Sequence, residues 1–114
     1  MPRDKEYFVD ILESARLAMN YLKDKTKEAL LADIQLQDSV VRRLEIIGEA
    51  ARRVSREGIA TVPNLPWKNM ISLRNVLIHE YDAVDLTIVW DTVKRDLPLV
   101  VAELEKIVET ETKS

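Results

Sequence analysis

A chain of 114 residues that is 46% hydrophobic and 32% charged can bury one core and is too short for a second. Two glycines and four prolines argue against β-rich or disordered classes; the lack of cysteine excludes a disulfide framework and thiolate metal sites, and fits a reducing cytoplasm. The net charge of −3 speaks against a nucleic-acid partner, but the charge is uneven: residues 39–79 carry seven bases and three acids, residues 82–114 four bases and eight acids.

The first periodic segment runs from about Asp4 to Leu22, where Phe8, Ile11, Leu12, Ala15, Ala18, Met19 and Leu22 recur at the spacing of one helical face. "KDKTKEALLAD" loses that period and reads as a turn with a short helical piece. A second helix is expected from about Ile34 to Ser55, with Val40, Leu44, Ile47, Ala51 and Val54 as its stripe and Gly48 admitting a close neighbour. In "REGIATVPNLPW", Gly58 suits a helix stop, and Pro63 and Pro66 enforce an extended connection. Pro66 opens a third helix that reaches His79 or Glu80, with Ile71, Leu77 and Ile78 as its expected core contacts. Asp85 caps a fourth, from about Leu86 to Thr110, whose stripe of Leu86, Val89, Val93, Leu97, Val100, Leu104 and Ile107 continues through Pro98. The proline should kink that helix rather than end it. The expected fold class is therefore all-α: an up-and-down-like bundle of four main helices plus a short helical piece, in a single domain over residues 1–114. "MPRDKEYFVD" has no apolar h-region, and no apolar run approaches the roughly 20 residues that span a bilayer, so a cytoplasmic protein is expected.

"SLRNVLIHEYDAV" holds the only histidine. At about 100° per residue, Asn75 and His79 lie about 40° apart on a helix and can meet, whereas Arg74 and His79 lie about 140° apart. Those two converge only if the helix loosens, the arginine wraps, or a second subunit supplies the missing partner. One imidazole without cysteine makes a poor transition-metal site, and no triad motif or glycine-rich phosphate loop is present. A histidine near an arginine does suit RNA cleavage without a metal. Imidazole takes or returns a proton near neutrality, and the guanidinium steadies a phosphorane-like transition state. That chemistry needs two proton transfers, so one histidine per chain points to a dimer. The same residues also suit a plain structural role, the histidine favouring a helix C-terminus by its charge. Trp67 and Trp90 read most simply as core or interface anchors. Composition and spacing leave these readings open.

"RNVLIHEY" fits an R-x4-H-x-Y pattern, and with "LADIQLQDSVVRRLEIIGEAARRV", "VPNLPWKNMISLRN" and "VDLTIVWDTVKRDLP" in this order the chain resembles the HEPN-domain proteins, in particular the HepT-like toxins. The likeness runs from about Arg3 to Ile107. It implies a homodimeric helical bundle, which can assemble further, with the two R-x4-H motifs facing one cleft. It further implies a metal-independent endoribonuclease that needs no cofactor, acts as the toxin of a toxin–antitoxin pair and takes RNA as substrate. The partner implied is an antitoxin nucleotidyltransferase of the MntA kind that transfers AMP to the tyrosine. By position, Arg74 would steady the scissile phosphate, His79 would be the general acid/base, Asn75 would orient the histidine and Tyr81 would accept AMP. Arg43 stands where the family often has a neutral Asn, which alters the basic rim. The alternative readings are a non-catalytic HEPN module that binds a nucleotide or docks a nucleotidyltransferase, and a dimeric scaffold.

Overall fold

In the computed structural model, residues 3–79 and 85–113 are described, with the side chains of residues 74–79 and 109–113 outside that description. All regular structure among the described residues is helical. The elements are α1 (Asp4–Tyr21), α2 (Lys27–Ala32), α3 (Ile34–Arg53), α4 (Arg56–Thr61), α5 (Trp67–His79), α6 (Leu86–Asp91) and α7 (Leu97–Lys113). A π-helical segment, Thr92–Asp96, joins α6 to α7. Four main helical rods result, counting α6 through α7 as one, with two short pieces where the sequence suggests one.

Side-chain caps fix the starts of four of these helices. Thr26, Asp33 and Ser55 accept from Ala29 N, Leu36 N and Gly58 N, and Asp85 accepts from both Thr87 N and Ile88 N. Each oxygen satisfies amide donors that the first helical turn otherwise leaves unpaired. At the other end of α1, Lys94 Nζ donates to Leu22 O at 3.0 Å while lying 5.0 Å from the centre of the Trp90 ring. A cation there complements the carbonyl end of the helix.

The expected stripes form the core. Phe8, Ile11, Leu12, Ala15 and Ala18 of α1 are buried, as are Val40, Leu44, Ile47 and Ala51 of α3 and Val89, Val93, Leu97, Val100 and Leu104 of the α6–α7 rod. α1 packs against both α3 and α7, and α5 lies on α3. Trp67, Met70 and Leu73 form the buried face of α5, and Ile71, half-buried, packs against the core beside them; the side chains of Leu77 and Ile78 lie outside the described residues. Trp67 decides the orientation. Its ring sits 6.3 Å from that of Phe8, and its Nε1 donates to Val62 O at 2.8 Å, so burying the indole leaves no polar atom unpaired.

At Pro98 the rod continues, as the sequence reading expects, whereas Gly58 resolves differently. Pro98 lacks an N–H, and in a regular α-helix its ring strikes the carbonyl four residues back. The rod meets this by widening just before it, where Leu97 N–H donates to Thr92 O, five residues away. Gly58 does not stop a helix. It sits inside α4, buried, with a φ that is not positive.

The junction of α3 and α4 is held by Asp4. Its Oδ1 accepts from Ser55 N at 3.0 Å, its Oδ2 accepts from the Ser55 hydroxyl, and that hydroxyl accepts from Gly58 N. Burial works to raise the Asp4 carboxyl, but the hydrogen bonds from the Ser55 hydroxyl and N–H outweigh it and hold the carboxyl below its ordinary value. A lowered folded-state pKa contributes stability that is present above the unfolded value, about 4, and is lost as pH falls through the folded one. Urea melts should therefore show the wild type losing stability from about pH 5 downward. Asp4→Asn should start less stable at pH 7 and show a shallower loss over the same range. Equal pH slopes for the two proteins would remove Asp4 from this role.

Candidate active site

Arg74, Asn75 and His79 all fall on α5, which continues as α-helix to His79. Loosening within this stretch therefore does not bring Arg74 and His79 together, and the backbone keeps them about 140° apart while Asn75 stays about 40° from His79. The structure places all three on one rod. Their side-chain geometry, and Tyr81 altogether, lie outside the described residues.

What precedes the motif on α5 is well defined. The helix begins at a buried tryptophan, and Met70 N–H donates to Pro66 O at 2.9 Å as its first turn closes. The Trp67, Met70 and Leu73 face ties the rod to the core, so the motif is carried by a braced helix rather than by a loop. Braced elements hold reacting groups more closely than loops do.

The uneven charge of the sequence maps onto separate helices. Arg42, Arg52, Arg53, Arg56 and Lys68, on α3, α4 and α5, are exposed, and Arg43 is half-buried. The acidic excess falls on the α6–α7 side, where Glu103 pairs with Lys106 at 2.8 Å and accepts from Asn64 Nδ2 at 2.9 Å. These two partners, Lys106 first, hold the Glu103 carboxyl below its ordinary value. A molecule acidic as a whole thus carries exposed basic residues on α3, α4 and α5, of which Arg53 pairs with Glu49 at 3.4 Å.

A groove lies between α5 and the α6–α7 rod, about 380 Å3 in volume and lined in part by Asn69, Ser72, Asp91, Thr92 and Arg95. Nothing in the sequence points to it beyond the irregularity announced by Pro98. Among the described residues no helix is long and apolar enough to cross a membrane.

The family model described as "Ribonuclease HepT-like" matches residues 11–107, which include every position of the R-x4-H-x-Y segment. The chain belongs to the HepT-like ribonuclease family. Among its relatives, a protein of Thermococcus cleftensis named "Probable ribonuclease HepT" is 37% identical over 103 residues, covering 90% of this chain and 94% of that one. A "Putative RNase" of Methanocaldococcus jannaschii is 40% identical over 101 residues, covering 89% of this chain and 93% of that one. A longer protein of the same organism, "Gamma-glutamylcyclotransferase and putative RNase", is 42% identical over 105 residues; these are 92% of this chain but only 47% of that protein. No solved structure matches the chain.

Proposed function

We propose that this HepT-like ribonuclease is an endoribonuclease that cuts RNA without a metal, as a homodimer whose two α5 helices bring Arg74 and His79 of both copies into one cleft. The observation that carries the reading is the family match across residues 11–107 with the R-x4-H motif on one continuous, core-braced helix. The 140° offset within one helix is the reason for the second copy. Groups that cannot converge in one chain converge across a two-fold axis.

In this reading one His79 takes the proton of a ribose 2′-hydroxyl as its oxygen attacks phosphorus. The other gives a proton to the departing 5′-oxygen. The strand ends as a 2′,3′-cyclic phosphate and a free 5′-hydroxyl, and the Arg74 guanidiniums hold the charge of the pentacoordinate transition state. Asn75, one turn before His79, keeps the ring oriented. The protein serves as the toxin of a toxin–antitoxin pair, and an MntA-like nucleotidyltransferase silences it by moving AMP from ATP to the Tyr81 hydroxyl with release of pyrophosphate. A bulky anion two residues from His79 repels the RNA backbone and fills the space it needs.

The purified protein, free of AMP, should cut RNA in excess EDTA and leave cyclic phosphate ends, read by gel and mass spectrometry. No cutting, or cutting that EDTA abolishes, would defeat the proposal. Mixed with ATP and the nucleotidyltransferase encoded beside it, the protein should gain mass in AMP steps located on Tyr81 and stop cutting. A fully modified protein that still cuts would remove the silencing step.

A further inference from the structure

The two sides of α5 have different neighbours. Pro66, Asn69, Met70, Ser72 and Leu73 line the groove toward the α6–α7 rod. That leaves the side of Trp67 and Ile71, the one buried and the other packed on the core, for α3, on which α5 lies. At about 100° per residue the two sides centre about 150° apart, and position 74 falls within about 40° of the Trp67–Ile71 side. Position 79 lies about 100° from either side. The arginine of the motif thus stands on the face packed against α3 of its own chain, and the histidine on an outer face.

α5 runs back along α3. Asp4, at the start of α1, accepts from Ser55 N at the end of α3, and Phe8, one turn further along α1, meets the Trp67 ring. α5 therefore starts about one turn short of the end of α3, which sets position 74, seven residues or about 10 Å onward, near the level of Leu44. In each helix the Cα–Cβ bonds tilt toward the N-terminus. In an antiparallel pair the two sets tilt in opposite senses, so the α3 side chain that leans toward position 74 comes from the C-terminal side of that level. α3 carries three acids. Asp38 is exposed and nearer the start of the helix, while Glu45 and Glu49 are half-buried. Glu45 leans away from the level of position 74; Glu49 leans toward it from about five residues off, roughly 7.5 Å. The Glu49 carboxylate accepts from Arg53 Nη2 at 3.4 Å, longer than a strong charged pair.

We propose that Glu49 is the positioning residue of the nuclease: its carboxylate takes the Arg74 guanidinium across the α3–α5 contact and fixes its orientation toward the scissile phosphate. The proposal rests on the nuclease reading above and deepens it. Arginine stays charged in proteins, and a charge on a helix face that packs against another helix costs desolvation unless a carboxylate meets it. A guanidinium carries its N–H donors in a planar fork, so a carboxylate can hold one edge while another edge meets phosphate. The faces divide the labour: each copy orients its arginine within its own chain and presents its histidine outward, where the second copy comes. A carboxylate this near the phosphate also repels it, so Glu49 favours rate over affinity.

Single-turnover cleavage across a range of protein concentrations separates the saturated rate from the half-saturating concentration. Glu49→Gln should cut at least about tenfold more slowly at saturation, the scale of loss for a misplaced group, with half-saturation unchanged or lower. Glu49→Asp, one methylene short, should fall in between and carries the same comparison should Glu49→Gln not fold. Glu45→Gln, which removes the same charge four residues away, should stay within about twofold of the wild type. In an Arg74→Ala background, Glu49→Gln should cost less than about twofold further, because the group it orients is gone. Wild-type rates in both Glu49 variants, an equal loss in Glu45→Gln, or a loss that adds in full to that of Arg74→Ala overturns the assignment. The pair is also read without catalysis. The Arg74 Nε–H signal in proton–nitrogen NMR spectra, assigned by its absence from Arg74→Ala, should move or vanish in Glu49→Gln and stay in Glu45→Gln. That result in a protein that never cuts keeps the pair and defeats the nuclease. A signal indifferent to Glu49→Gln defeats the pair, whatever the protein cuts.

Discussion

His79→Ala should cut RNA at least about 10³-fold more slowly than the wild type while keeping its helical content and oligomeric state. The size follows from the role. A positioned general acid or base contributes on the order of 10²–10⁴ in rate, and in the proposed shared cleft this one substitution would remove both groups. Arg74→Ala should cost about 10²–10³, the usual loss when one donor to transition-state charge is removed, and Arg74→Lys should recover part of it. The recovery is partial because an ammonium keeps the charge and loses the planar fork that meets two phosphate oxygens at once. The measurement is single-turnover cleavage of a labelled oligoribonucleotide, with circular dichroism and light scattering on the same samples. A His79→Ala protein that retains a tenth or more of the wild-type rate would take His79 out of the chemistry.

The long helices were legible because their burial repeats at the helical period. The stripes of α1, α3 and the α6–α7 rod needed only the spacing of Leu, Ile, Val and Ala, and Asp85 announced its cap by standing just before such a stripe. α5 was harder. Ile71 shows in the sequence as a core contact and does pack there, but the fully buried face of Trp67, Met70 and Leu73 depends on where Trp67 finds Phe8, almost sixty residues earlier in the chain. Pro98 signalled a disturbance, yet a proline alone does not say whether a helix bends or widens. The motif itself was plain as a pattern of residue types. That pattern does not say how Arg74 and His79 would meet, because a helix of one chain holds them apart, and assembly is a property that periodicity does not encode. The groove is not legible in the sequence for a related reason: Asn69, Ser72, Asp91 and Arg95 read locally as ordinary solvated positions, and only the packing of two rods makes them face each other.

Gly58→Ala should destabilise the protein by about 2–4 kcal/mol, against the sign that helix propensity alone gives. Alanine in a helix is favoured over glycine by about 0.8–1.0 kcal/mol, so a solvent-facing site would gain. This site has no room. A Cβ at Gly58 would lie 2.6 Å from Asp4 Oδ2, 2.9 Å from Asp4 Cγ and 2.7 Å from Val54 Cγ1. Val54 is buried, and Asp4 is a short side chain whose two oxygens are both held by Ser55, so neither yields freely. Overpacking of this kind costs about 1–3 kcal/mol, and displacing the carboxylate adds the loss of hydrogen bonds to a charged group, about 1.5–3 kcal/mol. For a domain near 100 residues the net change corresponds to a fall in Tm of roughly 10–20 °C, read by thermal melts at pH 7. The mechanism also fixes a coupling. In Asp4→Ala the obstructing oxygen is gone, so adding Gly58→Ala to it should cost clearly less than the same change costs in the wild type. Additive losses, or a Gly58→Ala protein as stable as the wild type, would mean that the α3–α4 junction yields, and that Asp4 and Gly58 do not clamp the start of α1 to the end of α3.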